Sequence, residues 1–61
     1  MLEYTKKILT KVSFDRSLFR KELTKAVRVL RHDERRMLKI WCMTTFAAYS
    51  AIVLEVFRKV S

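Results

Sequence analysis

Apolar residues recur along this chain at spacings of three and four rather than two, which is the period of a helix and not of a strand. In the first segment Tyr4, Ile8, Leu9 and Val12 fall along one side of a helix while Lys6, Lys7 and Lys11 point elsewhere, so the spacing predicts a helix over residues 3–12. The next segment places Phe19, Leu23, Ala26, Val27 and Leu30 on one face and predicts a second helix over 16–31. Between the two, SFDRSLF carries the signature of a helix start. Asp15 is the expected N-cap, with Phe14 and Phe19 placed as a hydrophobic staple.

After residue 33 the pattern changes. The run IWCMTTFAAYSAIVL, residues 40–54, contains no charge, and the periodicity carries a long third helix from 34 to 59. Two seams run along it. Leu38, Cys42, Thr45, Tyr49, Ile52 and Val56 are spaced four, three, four, three, four, as in a coiled coil. Ile40, Thr44, Ala47, Ala51 and Leu54 repeat that spacing two residues later, about 200° around the helix. A helix apolar on both sides must be enclosed by protein or by lipid. Its bulky seam suits helices 1 and 2 of the same chain, and its small-residue seam suits a second copy about a two-fold axis. In the reverse assignment, Trp41 and Tyr49 mark the interface. Met37 and Met43 fit as gap fillers in irregular packing.

The expected fold is therefore all-α: one small domain spanning 1–61, with two short amphipathic helices and one long C-terminal helix, the bundle completed by oligomerisation. Length supports that last step. A chain of 61 residues buries only about 60% of its unfolded surface, and small domains of this kind lean on disulfides, metals or partners. The single cysteine excludes an intrachain disulfide and leaves too few ligands for a structural zinc site. A homodimer or higher oligomer through Ile40, Thr44, Ala47, Ala51 and Leu54 follows.

The chain has neither glycine nor proline, which closes the Gly-rich phosphate loops and the dinucleotide-binding motifs. The turn between helices 2 and 3, in RHDERR, must then be made without glycine. It is expected at His32 or Asp33 in unusual backbone angles, with Asp33 capping helix 3. His32, Asp33 and Glu34 are adjacent in a turn and do not converge, so neither a metal site nor an acid–base pair is expected there. Cys42 lies among apolar residues, where a thiol is inert packing. No catalytic, metal or cofactor residue is assigned, and the expectation is a protein that is not an enzyme.

Charge is what remains to suggest a partner. Fourteen Lys and Arg stand against six Asp and Glu, and residues 1–39 hold twelve of those cations. Helix 2 gathers Arg20, Lys21, Lys25, Arg28 and Arg31 away from its apolar stripe, the arrangement that phosphate contacts need. Nucleic acid or an acidic protein is the expected partner class. A helix-turn-helix reading fails on helix 3, which lacks a polar recognition face. The start MLEYTKK has no apolar core of a secretory leader, so a cytoplasmic location is expected. Two alternatives remain: a single-pass or peripheral membrane microprotein with helix 3 in the bilayer, and a structural partner-binding helical protein whose charges serve solubility. The first suffers from length, since the apolar run falls short of about 20 residues and is broken at Glu55.

Overall fold

Local hydrogen bonding sets the first boundaries. The computed structural model describes residues 2–60, and its first helix, α1 (Leu2–Lys11), ends in a tightened turn. There Ser13 N–H donates to the Thr10 carbonyl at 3.4 Å and Ser13 Oγ donates to the same carbonyl at 2.8 Å. The Asp15 carboxylate then accepts from Ser17 N–H at 2.9 Å and Leu18 N–H at 3.2 Å, so α2 (Arg16–Val29) starts on the expected N-cap. The staple does not form. Phe14 is 80% exposed, because the Phe19 ring is taken up at 5.0 Å by Phe46 and at 4.9 Å by Tyr49, leaving it no apolar face to offer.

The buried stripe of α2 is the expected one, with Phe19, Leu23, Val27 and the following Leu30 inside and Ala26 half-buried. That of α1 is rotated. Thr5 and Leu9 are buried and Leu2 and Val12 pack partly against the core, a spacing of three, four, three, whereas Tyr4 is 62% exposed. This face hides Leu2, Leu9 and Val12 together and leaves the Tyr4 hydroxyl in water, where it needs no protein partner.

The turn after α2 uses extended backbone instead of unusual angles. Leu30 (φ −77°, ψ 151°) and Arg31 (φ −73°, ψ 163°) make it, and no described residue has positive φ. The third helix, α3 (His32–Thr45), therefore begins earlier than expected, with Arg31 and not Asp33 at the N-cap position. Glu34 reaches back to accept from Arg31 N–H at 3.1 Å. Only this half of a capping box exists, since a guanidinium has no acceptor to return. Asp33 and Glu34 lie in the first turn, where the helix dipole favours acids.

The largest departure from expectation is at Phe46. The single helix over 34–59 does not exist: α3 stops at Thr45, Phe46 leaves helical angles (φ −118°, ψ 54°), and a 3₁₀ turn (Ala47–Tyr49) leads into α4 (Ser50–Val60). The two halves are bent by 111°. A straight helix over that range would be about 39 Å long, against about 15 Å for α1 and about 21 Å for α2, at 1.5 Å per residue. Much of it would have no protein to cover it. The bend folds Val53, Val56 and Phe57 back so that α4 packs on α2, and the chain has four α-helices among its described residues, not three.

Aromatic rings fix the corner. Phe46 meets Phe19 edge-on and Trp41 edge-on at 5.3 Å, while Tyr49 donates its hydroxyl to the Ser13 carbonyl at 2.6 Å, tying the corner to the α1–α2 link. The β-branched pair Thr44 and Thr45 weakens the helix just before it. The core collected inside the four helices is Leu9, Phe19, Leu23, Val27, Leu30, Leu38, Cys42, Val53, Val56 and Phe57. Every helix contributes to it. The radius of gyration is 10.0 Å, against about 10.5 Å for a compact domain of this length.

Candidate functional site

The cations of α2 divide by direction. At 100° per residue, Lys21, Lys25 and Arg28 fall within about 60° of one another and form one exposed ridge, while Arg20 lies to the side that faces α4. There the Arg20 guanidinium is ion-paired with Glu55, and Lys59 Nζ approaches the same carboxylate at 3.7 Å. Lys25 Nζ lies 3.7 Å from Glu22. Such half-exposed pairs contribute about 0–1 kcal/mol each, so Lys25 stays available to an outside anion. Arg20 does more as a clasp between α2 and α4.

Lys21, Arg28 and Arg31 are exposed and have no ion-pair partner among the described residues. A groove of about 540 Å³ between α2 and α4 is lined by Arg20, Thr24, Arg28, Val56 and Lys59, so Arg28 stands on both the ridge and the groove wall. Arg31 belongs to the extended turn that follows α2.

The five residues expected as a small-residue seam do not form a straight line. Ile40 and Thr44 are on α3, Ala47 is in the 3₁₀ turn, and Ala51 and Leu54 are on α4 beyond the bend. All five are exposed. Of the bulky seam, Leu38, Cys42 and Val56 are buried, Tyr49 and Ile52 are half-buried, and Thr45 is exposed. Trp41 is half-buried against Phe46, with Lys6 Nζ 5.5 Å from its ring centroid.

The bend also assembles a cluster that sequence periodicity did not single out. A second groove of about 540 Å³ lies between α3 and α4, with Arg35, Arg36 and Lys39 from α3 and Arg58 from α4 on its walls. Ala51, Leu54 and Phe57 supply apolar lining, and Glu55 is its one acid. Along the chain those α3 cations look like the charged flank of a turn. Only the fold brings Arg58 to them, and the nearest sequence signal was a charged first half of helix 3 joined to an apolar second half.

The remaining chemistry is sparse. Burial pushes the Cys42 thiol up from 9.0 to about 12, which removes it as a nucleophile at neutral pH. Among the described residues no three His, Cys, Asp or Glu side chains are grouped to hold a metal ion. No single described helix is long and apolar enough to cross a membrane; α3 and the segment 47–59 reach that composition only together, across their bend. Comparison with protein-family models, with curated proteins and with solved structures found no match for this chain.

Proposed function

We propose that this chain is a small, non-enzymatic helical interaction module that engages a polyanionic partner, with nucleic-acid phosphates as the fitting chemistry. The observation that carries the reading is the ridge Lys21–Lys25–Arg28, with Arg31 in the turn that follows; of these four only Lys25 has an acidic neighbour within ion-pair reach among the described residues. Cations spaced along one helix edge match phosphates along a strand, and the sequence has no Asn or Gln, the side chains that read adenine edges. The net charge of +8 adds long-range attraction to the same class of partner.

Self-association belongs to this reading in a narrower form than the seam suggested. Met37 (52% exposed) and Ile40 (68% exposed), with Thr44, leave an apolar strip on the outer side of α3 that a second copy would cover. Ala51 and Leu54 are poor contributors to it, because they line the basic groove, and a two-fold contact there would bring like charges together.

The test is fluorescence anisotropy with a labelled 20-nucleotide single strand at 50 and 200 mM salt. Three to four phosphate contacts on single-stranded nucleic acid give a log–log slope of about −2 to −3, a loss of roughly twenty- to fiftyfold over that range. Affinity that is flat with salt would contradict the reading.

A further inference from the structure

The α3–α4 groove has a composition that the polyanion ridge does not account for. Arg35, Arg36, Lys39 and Arg58 line it, and none has an ion-pair partner among the described residues. The one acid at the groove, Glu55, is already engaged by Arg20 and Lys59. Arg35 Nε is buried and has no hydrogen-bond partner, which leaves one edge of that guanidinium unsatisfied in a wall of like charges. That Nε–H and the neighbouring Nη–H form the paired donor edge that phosphate and carboxylate oxygens accept, and Arg35 is one of the residues lining the groove.

Between these cations lies apolar surface. Leu54 is 46% exposed, Ala51 is exposed beside it, and Phe57 and Val27 close the lining from below. A bare phosphate chain would leave Leu54 unused, and a neutral hydrophobe would leave four cations unused. The volume, about 540 Å³, falls in the range of roughly 300–1,000 Å³ that small-ligand sites occupy. We propose that this groove binds an amphiphilic anion, its phosphate or carboxylate head held by Arg35, Arg36 and Lys39 and its apolar tail laid on Ala51 and Leu54. The site is separate from the α2 ridge and stands whether or not that ridge binds nucleic acid.

Isothermal titration with octyl phosphate below its micelle concentration tests it, with inorganic phosphate and octyl glucoside as the head-only and tail-only probes. Octyl phosphate is expected to bind at least about tenfold tighter than either, since head and tail contribute together. Arg36→Glu/Lys39→Glu is expected to weaken it by about tenfold or more, and so is Leu54→Asp, while the equally charge-changing pair Lys7→Glu/Lys11→Glu on α1 leaves it unchanged. All five substituted side chains are exposed, and a thermal melt of each variant confirms folding. Equal affinity for inorganic and octyl phosphate overturns the proposal, as does an equal loss in the α1 pair. Vesicles of phosphatidylcholine with phosphatidic acid separate the sources of the head group. Vesicle binding lost in the same groove variants extends the site to a lipid head group; vesicle binding that survives Leu54→Asp, with no binding of monomeric octyl phosphate, overturns it in favour of a flat membrane surface.

Discussion

Tyr49→Phe isolates the contact that holds the corner at Phe46. The substitution removes one hydroxyl, which donates to the Ser13 carbonyl at 2.6 Å in a part-buried setting, and keeps the ring against Phe19 at 4.9 Å. A net hydrogen bond contributes about 0.5–1.5 kcal/mol, and leaving the Ser13 carbonyl without its donor puts the loss near the middle of that range, about 1 kcal/mol. For a domain of this size 1 kcal/mol moves the melting temperature by about 4–8 °C. Thermal unfolding followed by circular dichroism at 222 nm reads the shift, and Tyr4→Phe serves as the control because Tyr4 is 62% exposed. The expected result is a lower Tm for Tyr49→Phe and none for Tyr4→Phe. Equal melting of the two variants would refute the role of this bond, and with it the tie between the corner and the α1–α2 link.

Asp15→Ala is expected to cost about 1 kcal/mol by urea unfolding, because it strips the acceptor from Ser17 and Leu18 amides. Phe14→Ala, by contrast, is expected to stay within about 0.5 kcal/mol despite the larger side chain removed, since Phe14 is 80% exposed and makes no staple. Cys42 gives a pH signature. Its folded pKa, about 12, lies above the value of 9.0 for a free thiol, so the folded state holds the proton more tightly. The contribution is complete below about pH 9 and declines as pH rises from there toward 12. The urea midpoint of the parent chain is expected to fall faster than that of Cys42→Ala between pH 8.5 and 10.5, and parallel curves would contradict the burial of this thiol.

What the sequence made legible were the features decided within a few residues. The Asp15 cap depends on its own carboxylate and two nearby amides, and the Phe19–Leu23–Val27 stripe depends on a period that burial then follows. The all-helical class follows from the same period, and the four α-helices bear it out. The face of α1 was harder, because Tyr4 is apolar in its ring and polar at its tip, so the stripe through Thr5 and Leu9 competes with the one through Tyr4 and Ile8.

The corner at Phe46 was not legible, since no glycine or proline marks it. Its cause is non-local: the Phe46 ring turns to Phe19, twenty-seven positions earlier, and α1 and α2 are too short to cover a straight helix over 34–59 within the same chain. The Thr44–Thr45 pair was the one local hint. Everything downstream of the corner was displaced with it. Ile40, Thr44, Ala47, Ala51 and Leu54 lost their common line, and Arg35, Arg36, Lys39 and Arg58 gained a common groove. Of the α2 cations, Lys21, Lys25 and Arg28 kept their predicted ridge because a single helix carries them, whereas Arg20 turned to Glu55 on an element the sequence had placed elsewhere.

The proposed function requires that anions be met by a particular edge of α2 and not by net charge alone. Lys21→Glu/Arg28→Glu and Lys7→Glu/Lys11→Glu change the net charge by the same amount, at exposed positions on α2 and α1. Measured side by side on one labelled single strand at 100 mM salt, the α2 pair is predicted to lose about tenfold more affinity than the α1 pair. Equal losses would contradict the claim.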